Sequence, residues 1–473
     1  MPPLDSQRVL PHVAFALAFA ACLGVHATAE EAARSSYYEK ARSYSTDPDP
    51  DLPRYVKGAA ETGIEGWEGI DWLDVGVDYR FRFEYRDDDI RRPVAGLDLP
   101  LLHRTRAYLG LHDALDPFRF AVELEDARRA NGNFPYDDRD VNEFALIRLQ
   151  GELYFADWLP ADPLGNSRPL SLRYGIQNFE FLDRRLLGNN QWRNTTNTFI
   201  GFRGAIGQQA NDWQLDLLSV QPLRRDLYGW DRPVEGRRVH GAIGHWRRWS
   251  EIATLQPFYL NLTQSENPST AAREVHAPGL RAYGLFGETG FDFDLAGVKQ
   301  FGENAARSVD AGAATFELGY TLDAPWKPRI SAFHGIATGD ADLDDLVDNR
   351  FERFYGFARP WSANDYLVFE NIRSTQLRLE FAPSKDLRFD LGYGWRELES
   401  ARDRYLPGAV VDPTGRSGRK LGDEFDFRAR WRINERLGAI LGYAFFRDGA
   451  FVSNAIRPGD TDFAYLELSY SLF

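Results

Sequence analysis

Arginine carries most of the positive charge in this chain. Lysine stands only at positions 40, 57, 299, 327, 385 and 420, among 56 basic residues. A guanidinium stays charged at any pH a cell meets, and its planar fork of donors matches a carboxylate. The arginines are also regularly spaced. In Val77-Asp78-Tyr79-Arg80-Phe81-Arg82-Phe83-Glu84-Tyr85-Arg86 every odd position is apolar and every even one charged. The same parity puts Arg80, Arg82, Arg104, Arg106, Arg148, Arg173, Arg203, Arg378, Arg388, Arg396, Arg428, Arg430 and Arg432 on the polar face of their segments. Such a row can hold and release the acidic groups of a polyuronate in turn, provided each contact is weak enough to let go. A second reading has many of these arginines pairing with Asp78, Glu84, Glu123, Glu380, Asp390 and Asp426 to fill a polar interior.

Bond-making chemistry finds little footing. The eight histidines include His103, His112, His240, His245 and His334, and they form no H-E-x-x-H or similar metal spacing. There is no G-x-S-x-G, phosphate loop or dinucleotide fingerprint, and Ser219, Ser250 and Ser331 sit in no recognisable context. No catalytic residue and no cofactor is called for. Asp340, Asp342, Asp344 and Asp345 have the oxygen chemistry calcium prefers, but their spacing does not complete a binding loop. A solvated surface, meeting cations that bridge lipopolysaccharide, is the competing reading.

The elements that must carry these residues are β-strands. Successive strand residues point to opposite faces, so each alternating segment has one oily and one ionic side. The pattern recurs at Phe118–Leu124, Leu387–Tyr393, Phe425–Ile433 and Leu466–Leu472. Segments of about ten residues cross a bilayer when tilted. Short connections at 113–117, 208–211, 323–325, 383–386 and 434–436 alternate with long ones at 87–99, 179–197, 222–236, 338–368, 399–420 and 448–459. Short turns on one side and long loops on the other are the outer-membrane arrangement. The tally is about eighteen antiparallel strands with both ends periplasmic, weakest in the glycine-rich stretches near 200–220 and 277–301. The fold class is therefore all-β, a transmembrane antiparallel barrel of the outer-membrane porin type. The thirty-odd residues from Thr338 to Val368 are long enough to fold inward as a gate.

The N-terminus supports that address. Arg8 precedes an apolar run from Val13 to Val25, followed by Ala27-Thr28-Ala29, a signal peptide cleaved after Ala29. The lone cysteine, Cys22, lies inside it; a lipid on Cys22 is the alternative, since Phe19-Ala20-Ala21-Cys22 approaches a lipoprotein box. Residues 30–70, around Asp47-Pro48-Asp49-Pro50, read as an irregular periplasmic segment, and 71–473 as the barrel. Aromatics make up 14% of the chain, which suits the girdles of a barrel. A net charge of -14 argues against nucleic acid, whose binding needs phosphate neutralisation. The terminal Phe473 after an amphipathic strand is the mark read by barrel-insertion machinery.

One region is more specific. Arg173-Tyr174-Gly175-Ile176-Gln177, Arg185-Leu186-Leu187-Gly188, Trp192-Arg193-Asn194 and Thr198-Phe199-Ile200-Gly201 together resemble the alginate export porin family. Phe354-Tyr355-Gly356-Phe357, Gly422-Asp423-Glu424-Phe425-Asp426 and Gly442-Tyr443-Ala444-Phe445-Phe446 with Gly449 continue the likeness, which spans Trp72 to Phe473. The resemblance implies a monomeric barrel of eighteen strands that exports alginate through an arginine-lined lumen. Two of the family's charges are replaced here by Ile176 and Ile200, which parity puts on the oily face with Tyr174 and Phe202. The expectation is an outer-membrane porin for anionic saccharides, in contact with lipid and lipopolysaccharide. Uptake or general diffusion of small acidic solutes, and a structural or adhesive barrel without an open pore, are the alternatives.

Overall fold

The computed structural model describes residues 37, 52–356, 361–405 and 409–473. The export signal, Cys22 and Phe357 lie outside the described residues. Eighteen long strands make one sheet. They are β1 (Leu73–Asp87), β2 (Leu101–Leu111), β3 (Phe118–Ala130), β4 (Asn142–Leu159), β5 (Arg168–Gln177) and β6 (Phe199–Ile206). Next come β7 (Trp213–Arg224), β8 (Arg237–Trp246), β9 (Ala253–Gln264), β10 (Arg273–Leu285), β11 (Phe291–Asn304) and β12 (Arg307–Thr321). The last six are β13 (Arg329–Ala337), β14 (Ile372–Phe381), β15 (Leu387–Glu397), β16 (Lys420–Arg432), β17 (Leu437–Asp448) and β18 (Thr461–Ser471). Each pairs antiparallel with its sequence neighbours, and β18 returns to β1 from Asp78↔Ser471 to Asp87↔Asp462. The sheet closes on itself, which leaves no open edge. The glycine-rich stretches that are weakest in the sequence form β6–β7 and β10–β11.

Alternation decides which side faces where. On β1 Tyr79 is exposed while Arg80, Arg82 and Glu84 are buried. Leu109, Leu124, Leu172, Leu217, Leu377, Leu441 and Leu466 are exposed on the outside of the wall. An apolar surface of that extent is stable only against lipid. Trp72, Phe118, Trp158, Trp246, Tyr320 and Trp431, at the strand ends on the short-turn side, are also exposed and form an aromatic girdle there. Ile176 and Ile200 face each other across β5 and β6, with the rings of Tyr174 and Phe202 tilted against each other on the same oily face at 4.5 Å.

The connections alternate between short and long, with one exception. On the long-loop side β11 and β12 are joined by only Ala305 and Ala306. Within the segment before the barrel, Val56–Gly58 pairs with Gly76–Asp74 of β1. It takes the stretch of β1 that β18 leaves free, just past the bond from Leu472 N–H to the Val77 carbonyl. Tyr55 is buried there, and its hydroxyl donates to Glu123 at 2.7 Å.

Candidate functional site

The register of the wall sets inward arginines beside inward carboxylates. Arg106 lies across from Glu125, Arg148 across from Glu123, Arg173 across from Glu152, and Arg428 across from Asp390. The side chains then meet, at 2.8 Å for Arg106–Glu125, 3.2 Å for Arg148–Glu123, 3.0 Å for Arg173–Glu152 and 3.4 Å for Arg203–Asp216. On the opposite wall Asp390 receives three guanidiniums, from Arg378 at 3.1 Å, Arg428 at 3.0 Å and Arg430 at 3.6 Å. Arg378 also reaches Asp426 at 3.0 Å, Arg396 lies 3.8 Å from Glu424, and Arg432 bonds to Asp386 at 2.7 Å. Arg388 is exposed and has no ion pair among the described residues.

Arg80, Arg82, Arg104 and Arg106 form a second group, and a loop covers it. The connection between β5 and β6, residues 178–198, turns into the barrel. Arg80 donates to the carbonyls of Gln191 at 3.0 Å and Arg193 at 2.7 Å. Arg82 donates to the carbonyl of Trp192 at 2.6 Å, and its guanidinium lies 4.2 Å from the Trp192 ring. Arg106 donates to Gln191 Oε1 at 2.8 Å and Thr196 Oγ1 at 2.6 Å. Asn194 is fully buried, and its amide donates to the carbonyls of His103, Arg128 and Asp140. Arginines that parity reads as a solute path are here used largely to seat a loop. The sequence marks this loop only as long; the W-x-N resemblance at Trp192-Arg193-Asn194 is the signal that singles it out.

The connection between β13 and β14, residues 338–371, folds inward as its length suggests. Trp361 is fully buried, stacked on Phe369 at 4.4 Å and edge-on to Phe333 at 5.4 Å. The two loops interlock. Tyr355 N–H donates to the Leu186 carbonyl at 3.0 Å, and Gly188 N–H to the Tyr355 carbonyl at 3.2 Å. Gly356 permits this approach, since a Cβ there would stand 2.0 Å from the Arg185 carbonyl oxygen. Arg193 adds an ion pair to Asp365 at 2.7 Å. Burial pushes the Asp365 carboxyl up, but Arg193, with Arg91 and Arg139, holds it below the usual carboxylate range. The segments of the family resemblance at 185–188, 192–194 and 354–356 thus converge in space.

Of the calcium candidates Asp340, Asp342, Asp344 and Asp345, two meet an arginine. The Arg307 guanidinium takes both Asp340, at 2.5 Å, and Asp345, at 3.4 Å. Among the described residues no three acidic, His or Cys side chains converge on a point where an ion could sit.

Among the described residues, cavities open off the bore at both ends. The larger, about 440 Å³, lies toward the short turns and is lined by Arg119, Arg148, Arg173, Glu152, Tyr108 and Leu52, among others. The smaller, about 70 Å³, lies toward the long loops, between Arg82, Arg86, Asp140, Trp192, Arg193 and Asp365.

The family model described as alginate export matches residues 71–462. No curated protein matches the chain. Among solved structures, the outer-membrane protein OpdK of Pseudomonas aeruginosa is similar at a TM-score of 0.58 and 14% identity, over 84% of this chain and 98% of that one. OprD of the same organism is similar at 0.55 and 12%, over 84% and 93%. OccAB3 of Acinetobacter baumannii is similar at 0.55 and 12%, over 84% and 98%. At these identities the likeness is one of fold.

Proposed function

We propose, from the premise that the chain belongs to the alginate export family, that it passes anionic saccharides across the outer membrane, an alginate-like polyuronate on its way out among them. Family and fold make it a porin-type channel in the bacterial outer membrane; the cargo is the proposed part. One observation carries it. Arg378, Arg428 and Arg430 converge on Asp390, Arg378 reaches Asp426 as well, and Arg388, with no ion pair among the described residues, stands in register with Arg430. Four guanidiniums from three neighbouring strands are thus gathered on one stretch of wall. Selectivity in such pores comes from charged side chains along the lumen.

A second reading, uptake of small acidic solutes, is favoured by the two inward loops, which narrow the bore on the long-loop side. Neither reading asks for catalysis.

Planar-bilayer reversal potentials across a KCl gradient test the proposal. The wild type is expected to prefer chloride, and Arg388→Gln with Arg428→Gln and Arg430→Gln to move the chloride-to-potassium permeability ratio toward one. Block by oligouronates supports the polymer reading, and block by monomeric sugar acids alone supports the second. A cation preference in the wild type overturns both, and a barrel without conductance leaves a structural or adhesive role.

A further inference from the structure

Arg104 is 6% exposed on the inner face of β2. Its Nε and Nη1 meet no acceptor, and the Nε of Arg80, its partner across β1, meets none either. Arg104 makes no ion pair among the described residues. The carboxylates whose field reaches it are Glu125, Asp78 and Glu467. Glu125 is taken by Arg106 at 2.8 Å and by the Thr196 N–H at 3.0 Å and hydroxyl at 2.7 Å. Glu467 is taken by Arg82 at 3.3 Å and lies 3.8 Å from Arg80. Asp78 stands in register with Arg106 and accepts from the Ser471 hydroxyl at 3.4 Å. The loop carbonyls that satisfy Arg80 and Arg82 do not reach Arg104.

A guanidinium cannot shed its proton, and a buried charge without compensation is strongly destabilising. We propose that Arg104, with the Nε of Arg80, binds one small monovalent anion, of halide or carboxylate size, beneath the inward loop. The anion is a resident counter-ion. It neutralises the cluster over which residues 191–196 close, so the seating of the loop depends on it. The site lies on β1 and β2, away from the Asp390 wall, and stands whatever the pore conducts.

The full chain in detergent tests this. Crystals soaked in sodium bromide are expected to show an anomalous bromide peak against the Arg104 guanidinium, and crystals of Arg104→Gln to lack it. At constant ionic strength, the unfolding midpoint of the wild type is expected to be several degrees higher in bromide or chloride than in bulky isethionate. That difference should vanish in Arg104→Gln. Should Arg104→Gln not fold, Arg104→Lys, which keeps the charge but loses the fork, is expected to weaken the halide response. Glucuronate in place of halide separates the sources: protection by it assigns the site to a sugar carboxylate, and protection by halide alone assigns it to a free ion. A bromide peak that persists in Arg104→Gln, or equal midpoints in halide and isethionate for the wild type, overturns the proposal. A cation-selective pore would sink the cargo reading and leave this site untouched.

Discussion

An inward-pointing arginine takes whichever acceptor the fold brings within reach. On β2–β5 the register delivers carboxylates, so Arg106, Arg148 and Arg173 pair across strands. On β1 Arg80 instead meets main-chain carbonyls of a loop more than a hundred residues away in sequence. Asn194 is the pin of that loop, with its amide 3.0, 3.1 and 2.9 Å from the carbonyls of His103, Arg128 and Asp140. Removing a buried partner leaves the others unsatisfied at about 1–3 kcal/mol. Asn194→Ala is therefore expected to lower the unfolding temperature in detergent and to broaden single-channel current levels, because the 178–198 loop loses its seat. Unchanged stability together with unchanged current noise would mean the amide is not what holds it.

At the scale of elements, the two inward loops behave as one unit through the Leu186–Gly188 and Tyr355 contacts and the Arg193–Asp365 pair. The base of the second loop holds Glu370. Burial raises its carboxyl to about 7, relieved in part by Arg353 and Arg404 and worsened by Glu352. In the unfolded segment the same group titrates near the ordinary glutamate value of 4.5. Below that value both states are protonated and the residue is neutral to stability. As pH rises through the window from about 4.5 to about 7 the seated loop binds more protons than the released one, so seating weakens. Above about 7 the penalty is complete. Proteolytic nicking between residues 338 and 371 should thus accelerate from pH 4.5 to 7.5 in the wild type, and Glu370→Gln should flatten that slope. A slope unchanged by the substitution would place the titration elsewhere.

For the whole molecule the governing fact is closure in lipid. The wall keeps large apolar side chains outside, and Leu217 at mid-strand on β7 is 46% exposed. A charged side chain on the lipid face near the bilayer midplane costs about 2–4 kcal/mol. Leu217→Arg should destabilise the barrel by that amount in urea titrations in phospholipid vesicles. Asp216→Asn, one residue away on the inner face, should instead act through Arg203 and His245, its partners at 3.4 and 3.2 Å. If Leu217→Arg proved silent, that stretch of wall would not face lipid.

The alternation of apolar and charged residues was enough to determine strands, their two faces and an even, closed count. A strand's side-chain period is local, and a one-residue slip would put every charge into lipid. The family segments at 172–201 and 354–356 also marked the right stretches of chain. Parity could say that Arg80 and Arg104 point inward, but not that one would meet the carbonyls of residues 191 and 193 and the other no acceptor. That depends on where a loop with no period comes to rest inside the barrel. Residues 178–198 rest through Trp192 on Tyr465 of β18, and residues 338–371 through Trp361 on Phe333 and Phe369. Nor does spacing along the chain show that Arg307 would claim Asp340, since that contact exists only once β12 lies beside the loop. Periodic contacts are written in the chain itself, whereas contacts that close over long stretches of sequence are decided only when the barrel forms.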